Sequence, residues 1–547
     1  MKKLFSFLLM LTIGFSMVAC ENPYGPNQPA PGMDTTGKYK LDTIRNEAII
    51  HDAGTITAEN IGNARVYYQI FVGSFSDYNG DGIGDIRGII DRMDYLNDGD
   101  PNSGLSLGIE GIWLTPIFDS PSYHKYDTTD YYMLDPSFGT EADLKELIDL
   151  CHERGVQIIL DLVINHTSTQ HAWFQKFQRA HRDGDTESKY YDYYTYADAP
   201  LSGRTFQTIS GSDHYYECNF SGDMPELNYD NEAVRQEMVN VAKYYLDLGV
   251  DGFRFDAAKY VYYGDESRNA EFWQWYMQQL RQIKPDIYTV AEVWDAEAVT
   301  YNYIPYTNCF NFAMSQSGGK VDAAAKGNVN AYTSYIESYL NTIHALNPDA
   351  MLMTFITNHD MDRAAGFLTV ASGRAYIAAN LSILTPGSPY IYYGEEIALK
   401  GSRGGSNTDA NRRLAMLWGD YDSVLDPIGA NYKGVQSDGT VKDQLSNGDS
   451  LYNHYKKLIM LRKANPEIAY GTYQALSLKG TTAGGFLSTY EGKTVCVLHN
   501  ASTEKTQVDL SQLDVDLSTL AGFAGMGGAT LEGTILTLDA QTSAILR

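Results

Sequence analysis

From residue 62 onward, short apolar runs of β type alternate with amphipathic stretches of helical period. The runs occupy residues 66–71, 111–114, 156–164, 250–255, 287–293, 309–312, 353–357 and 390–393. Eight strands interleaved with helices predict an α/β protein built on a (β/α)8 TIM barrel. One of the helices is easily read. Thr140 is placed to cap it, Leu144, Leu147, Ile148 and Cys151 fall on one face, and Gly155 can end it ahead of the third run. After that run, residues 167–227 lack helical periodicity and are dense in Tyr, Asp, Ser and Gly. An insertion of this length predicts a small subdomain after the third strand rather than a bare loop. Past residue 465 the pattern turns to alternation at 485–490, 494–498, 533–538 and 543–546, with Gly and Thr turns between. That pattern predicts a C-terminal antiparallel β-sandwich over 466–547, behind a barrel spanning 62–465.

The first 61 residues read differently. Lys2 and Lys3 precede a 15-residue apolar run, 4–18, followed by Ala19 and Cys20. This is the layout of an export signal, and the run is shorter than the ~20 residues a spanning helix needs. A cysteine directly after the small residue resembles a bacterial lipoprotein box, with residues 1–20 as signal and Cys20 as the lipidated residue. An ordinary signal cleaved nearby is the alternative. Four prolines fall within residues 21–32, so 21–61 is expected to be an extended lead-in. The remaining cysteines, Cys151, Cys218, Cys309 and Cys496, form no CxxC and predict neither a disulfide framework nor a thiolate metal site. The 547 residues carry 68 Asp and Glu against 41 Lys and Arg, a net charge of −27. A field of that sign repels nucleic acid and anionic lipid, which excludes polyanion partners; a monomer touching a membrane only through its lipid is expected. The 42 tyrosines offer apolar faces with polar tips, suited to sugar rings or simply to a surface.

Barrel enzymes place their chemistry at the C-terminal ends of strands. Polar groups crowd those positions here: Asp161, Asn165 and His166 on the third strand, Arg254, Asp256 and Lys259 on the fourth, Glu292 on the fifth, and Asn358, His359 and Asp360 on the seventh. Any one Asp after a strand is ordinarily a helix cap. Four carboxylates, two histidines and an arginine converging on one mouth would repel or strain without a functional return. Paired carboxylates suit glycosidic cleavage, one attacking the anomeric carbon and the other, held protonated, donating to the leaving oxygen. Arg254, two residues before Asp256, offers that carboxylate a counter-ion.

The ordered set Asp161-Leu-Val-Ile-Asn165-His166, Gly252-Phe-Arg254-Phe-Asp256-Ala-Ala-Lys259, Glu292-Val-Trp294 and Phe355-Ile-Thr-Asn-His359-Asp360 resembles the four signature regions of the α-amylase family, glycoside hydrolase family 13. Gly111-Ile-Trp-Leu-Thr-Pro116, Tyr123-His124-Lys-Tyr126-Asp127 and Tyr392-Tyr-Gly-Glu-Glu396 extend the likeness over about residues 62–420. The resemblance implies Asp256 as nucleophile, Glu292 as general acid/base and Asp360 as the third catalytic carboxylate, holding ring hydroxyls. It implies Arg254 as the group orienting Asp256, with His124, His166 and His359 on the sugar hydroxyls and Tyr126 as a stacking platform. Lys259 would contact sugar on the leaving-group side, and Asp161 and Asn165 would be structural. Anomeric configuration would be retained. Alanine after the nucleophile with Lys259 beyond it resembles α-amylases and neopullulanase-like enzymes, and Met224-Pro-Glu-Leu-Asn228 resembles a subgroup that includes lipoprotein α-amylases. Cleavage of α-1,4 bonds in starch and maltooligosaccharides is therefore expected, with α-1,6 cleavage and a non-catalytic starch-binding lipoprotein as alternatives. Glu226 and Tyr260 depart from residues that support a second, interdomain calcium site in the family.

The loop Asp77-Tyr-Asn79-Gly-Asp81-Gly-Ile83-Gly-Asp85 has oxygen ligands at alternate positions, as in an EF-hand, but Gly88 stands where the closing Glu would be. The family resemblance implies a structural calcium held by Asp77, Asn79, Asp81, Asp85 and the Ile83 carbonyl; an ion-free turn is the alternative. The cluster Tyr190, Tyr191, Tyr193, Tyr194 and Tyr196 reads either as a sugar platform or as the aromatic core of the insertion.

Overall fold

A computed structural model of the chain describes residues 63–404 and 408–547; the expected signal, Cys20 and the lead-in lie outside them. Eight parallel strands form one sheet: β1 (Tyr67–Ile70), β2 (Gly111–Leu114), β3 (Gln157–Leu162), β4 (Gly252–Phe255), β5 (Tyr288–Ala291), β6 (Asn308–Cys309), β7 (Met353–Phe355) and β8 (Ser388–Tyr392). Their order is β6-β5-β4-β3-β2-β1-β8-β7. A parallel bridge between Phe310 and Met353 joins the two ends, so the sheet closes into the expected barrel.

Parallel strands covered on both faces read as continuous apolar runs, which is why these segments stood out in the sequence. Alternate residues divide between two cores. Tyr67, Trp113, Ile159, Tyr288, Phe310, Phe355 and Tyr390 point inward and fill the barrel. Tyr67 stacks on Tyr390 with ring centroids 4.9 Å apart, and the hydroxyls of Tyr288 and Tyr390 meet at 2.7 Å. Tyr68, Ile112, Leu160, Phe253 and Phe255 face the surrounding helices. Because aromatic side chains plug the interior, the only room for a substrate is at an open end. The helix Glu141–Glu153 forms as expected: Thr140 and Asp143 make a reciprocal capping box, and Leu144, Leu147, Ile148 and Cys151 are buried.

The insertion departs from its sequence reading in one respect. It contains a 12-residue helix, Ala172–Asp183, which buries Phe174, Phe177, Ala180 and His181 and stops at Gly184 with φ of 67°. The i, i+3 apolar spacing is present, but it is masked by the surrounding Gln, Lys, Arg and His. A small antiparallel sheet of Tyr196–Ala197, Phe206–Thr208 and Tyr215–Glu217 completes the subdomain. Tyr193 and Tyr194 are fully buried, and Tyr191 and Tyr196 pack on His181, so the tyrosine cluster is core.

The C-terminal region pairs a five-stranded antiparallel sheet with a three-stranded one. Cys496, Leu498, Val508, Leu536, Leu538 and Leu546 form the core between them. The strands Thr472–Ala475, Thr506–Asp509, Leu520–Gly525 and Ala529–Glu532 add to those read from sequence. All four described cysteines are buried and free.

The described chain enters at the N-terminal ends of the strands. Arg65 donates to the carbonyls of Glu110 (3.2 Å) and Gly155 (2.8 Å), just ahead of β2 and β3, and its amide donates to the Ser388 hydroxyl at 3.2 Å.

Candidate active site

Strand register brings the carboxylates together. Asp161 on β3 pairs in register with Arg254 on β4, and Arg254 with Val290 on β5. One residue past the strand ends, the Asp256 amide donates to the Leu162 carbonyl (3.2 Å) and the Glu292 amide to the Phe255 carbonyl (2.9 Å). Three neighbouring strands thus deliver Asp256 and Glu292 to one level, with Asp161 two residues deeper, beside Arg254. Ala257 follows with φ of 49°, a left-handed value rare for a residue with a Cβ. That turn sends its amide onto Glu292 Oε2 at 3.2 Å.

Arg254 is 1 % exposed and binds all three acids. Its Nη1 lies 2.8 Å from Asp161 Oδ1 and 2.7 Å from Asp256 Oδ1, and its Nη2 3.1 Å from Glu292 Oε2. Burial pushes the Glu292 carboxyl up, against the pull of Arg254 and with the help of Asp256 and Asp360, to about 7. Asp360 goes the other way: burial would raise it, but His359, Arg413 and Arg254 outweigh that and hold it down at about 2. Environment therefore separates two carboxyls on one mouth into a proton carrier and a permanent anion.

A hydrogen-bond relay supports the far wall. Gln69 Nε2 donates to His359 Nδ1 at 2.7 Å, which leaves His359 Nε2 to donate to the Tyr126 hydroxyl at 2.6 Å. Tyr126 in turn donates to Asp161 Oδ2 at 3.0 Å. Burial depresses His359 to about 3, so it serves as a neutral ring. Arg413 reaches the same wall, donating to Asp360 Oδ1 (2.8 Å), the His359 carbonyl (3.0 Å) and the Tyr123 hydroxyl (3.1 Å).

These groups surround an open cavity of about 750 Å3 lined by His124, Tyr126, His166, Asp256, Glu292 and Asp360, among others. His166 Nε2 is buried without a protein partner. Arg254 and His359 stand behind the lining. Lys259 is outside it: its ammonium binds the Trp294 carbonyl at 2.9 Å and Asp295 at 2.6 Å. Sequence reasoning passed over Arg413, Tyr123, Phe220 and Trp294 as lining residues; of these Tyr123 and Trp294 had a signal, each standing in a quoted motif, Tyr123 next to His124 and Trp294 two residues past Glu292.

A model of the alpha-amylase catalytic domain matches residues 69–471. The chain belongs to the alpha-amylase family. Alpha-amylase 3 of Dictyoglomus thermophilum is 34% identical over 445 residues, covering 80% of this chain and 84% of that protein. The 4-alpha-glucanotransferase of Thermotoga maritima is 33% identical over 424 residues, 73% of this chain and 87% of the relative. Among solved alpha-amylase-fold structures, Eubacterium rectale Amy13B superposes with a TM-score of 0.82 at 33% identity, covering 90% of this chain and 96% of its own. A family glucan-acting enzyme with an oligosaccharide substrate is thereby established.

The loop expected to bind calcium follows β1. Asp77 accepts from the amides of Gly80 (2.7 Å) and Gly82 (2.8 Å), Asn79 Oδ1 from Asp81 (2.9 Å), and Asp81 Oδ1 from Ile83 (2.8 Å). Asp85 caps the next helix through the Gly88 amide at 2.7 Å. Among the described residues, no three His, Cys, Asp or Glu side chains are gathered as a ready metal cage. The donor set is nevertheless all oxygen, and Asp77 and Asp85 are both buried, which is the chemistry a hard cation takes. The segment after Arg413 packs on this loop, with Ser423 donating to Asp77 at 2.7 Å and the Leu425 amide to the Gly82 carbonyl at 2.9 Å.

Proposed function

We propose that this protein is a retaining, endo-type α-1,4-glucan hydrolase acting on starch and maltooligosaccharides. The observation that carries the reading is the single buried guanidinium shared by Asp256 and Glu292, the first paired with it at 2.7 Å and the second raised to about 7. A spacing that one guanidinium can bridge suits the ~5–5.5 Å of retaining enzymes better than the wider, water-holding gap of inverting ones.

In the first step an Asp256 oxygen attacks the anomeric carbon. The electrons of the breaking C–O bond pass to the leaving oxygen, which takes the Glu292 proton, and a glycosyl ester of Asp256 forms. Esterification removes the Asp256 charge that helped hold the Glu292 proton. Glu292 is then a better-stabilised carboxylate and takes a proton from water; the water oxygen attacks the same carbon and frees Asp256. Asp360, Arg413 and His166 bind the hydroxyls of the ring being cleaved, and Tyr126 supports it.

Glu292 must be protonated for the first step, so kcat/KM is expected to fall as pH rises through about 7. A pH profile on maltoheptaose checks this; an alkaline limb near the ordinary carboxylate range would remove Glu292 from the acid role. Product analysis on starch, pullulan, maltotriose and isomaltose tests the bond preference. Internal cuts in starch with intact isomaltose are expected, and glucose from isomaltose without loss of starch viscosity would favour α-1,6 specificity.

The same reading includes export with a lipid on Cys20, since a polymeric substrate is met outside the cell, and a structural calcium in the 77–85 loop. The ion would neutralise the buried Asp77 and Asp85 and steady the segment carrying Arg413. Chelation with EDTA is expected to lower the melting temperature, with calcium restoring it; an unchanged melt together with no metal by elemental analysis would discard the ion.

A further inference from the structure

The turn after β7 buries another arginine, three residues past Asp360. Arg363 is 1 % exposed, and its guanidinium lies over the rings of Tyr392 and Tyr393, 4.3 and 4.6 Å from their centroids. Its Nε donates to the Arg412 carbonyl at 3.0 Å and its Nη1 to the Tyr393 carbonyl at 2.7 Å, while Nη2 is buried without a protein partner. Both bonds go to carbonyls, and no carboxylate among the described residues pairs with this cation. A buried guanidinium without a counter-ion costs stability rather than adding it. Its return lies in the segment it holds.

That segment is the backbone of Arg413. The Arg412 carbonyl, one residue before, also accepts from the Tyr392 hydroxyl at 3.0 Å. The Leu414 carbonyl, one residue after, accepts from the Tyr393 hydroxyl at 2.5 Å. Side chains on or just past β7 and β8 therefore pin the chain on both sides of Arg413, where its own regular structure is one short 3-10 turn, Asp409–Arg412. From this fixed backbone the Arg413 side chain reaches Asp360 Oδ1 at 2.8 Å. The circuit is closed: Asp360 and Arg363 leave β7 together, and Arg363 grips the backbone whose side chain returns to Asp360. The planar fork of a guanidinium suits this task, because it meets two carbonyls in one fixed orientation. A second tie runs outside it, from Arg412 Nε to Asp362 at 2.8 Å, with the Asp362 side chain 52 % exposed.

We propose that Arg363 is a positioning residue that sets Arg413 against Asp360 and so fixes the carboxylate that holds the ring being cleaved. Arg363 does not line the cavity; it acts through Arg413. The proposal rests on the glucan-hydrolase reading above, in which Asp360 and Arg413 bind the hydroxyls of that ring. A grip that tightens on the distorted ring acts on the transition state, so misplacing it lowers kcat more than it raises KM.

The test is a double-variant cycle on maltoheptaose. Arg363→Met is expected to lower kcat by about 10²-fold, the scale of a misplaced positioning group, with KM changed far less. In the Arg413→Met background, where the bond to Asp360 is already gone, the same substitution is expected to cost less than about threefold. Tyr392→Phe removes one hydroxyl and keeps the ring. It is expected to show a smaller loss of kcat that also vanishes in the Arg413→Met background, and it carries the cycle if Arg363→Met fails to fold. Asp362→Asn cuts only the outer, exposed tie and is expected to leave kcat within about twofold of wild type. A crystal structure of Arg363→Met is expected to show Arg413 withdrawn from Asp360. Losses that multiply in the double variants, a rise in KM without a fall in kcat, or an Asp362→Asn loss equal to that of Arg363→Met would overturn the proposal. So would an Asp360–Arg413 bond left intact in the variant crystal. A wild type inactive on maltoheptaose would instead overturn the hydrolase reading, and the variant crystal would then decide the positioning role by itself.

Discussion

Asp256→Asn is expected to lower kcat/KM on soluble starch by about 10⁴-fold or more, the scale seen when a covalent nucleophile is removed. The argument is geometric. Asp256 occupies the turn directly past β4, 2.7 Å from Arg254, and no other carboxylate lining the cavity shares its strand-end position beside Glu292. Asn keeps the shape but cannot form the glycosyl ester. The fold is expected to survive, because Arg254 retains Asp161 at 2.8 Å and Glu292 at 3.1 Å. The variant also loses the negative charge that helps raise Glu292, so any residual activity should have its alkaline limb at lower pH. Reducing-sugar release beside an unchanged melting curve checks both points. Substantial turnover by the variant would remove Asp256 from the nucleophile's role.

The largest effect on stability is expected from Arg254→Met, at about 3–5 kcal/mol, the cost of breaking a buried ionic cluster by removing one partner. Three carboxylates would then face one another inside a mouth already shielded from water. The penalty should depend on pH, with a definite sign. Asp161 and Glu292 are both pushed up by burial to about 7 even with the guanidinium present. Without it they rise further, and protonation relieves the repulsion, so the deficit relative to wild type should shrink as pH falls below about 7. Urea unfolding at pH 8 and at pH 5 reads this directly. A deficit that is absent at pH 8, or equal at both values, would show that the cluster is not held by this cation.

What was legible in the sequence is what local physics dictates. Strands buried on both faces announce themselves as apolar runs, and the groups one or two residues past them, Asp256 and Glu292, share the mouth because parallel strands run in register. Arg413 had no such signal. It lies 53 residues past Asp360, in an irregular segment whose path depends on how the chain folds back over the barrel, yet it makes a 2.8 Å bond to that carboxylate. Phe220 reaches the cleft from the insertion for the same non-local reason. The helix Ala172–Asp183 shows the opposite failure: its pattern was present, but a face made of Phe, Ala and His among charged neighbours was too weak a contrast. Lys259 was identified by motif alone, and its ammonium is committed to the Trp294 carbonyl and Asp295 instead of the cavity.

Arg65 clasps the carbonyls just ahead of β2 and β3, at the opposite end of the barrel from Glu292. Between that clasp and the acids stands the plug of Tyr67, Trp113, Tyr288 and Tyr390. A substitution at Arg65 can therefore loosen the floor of the barrel while leaving the arrangement of charges at its mouth untouched, so the two ends can be altered independently.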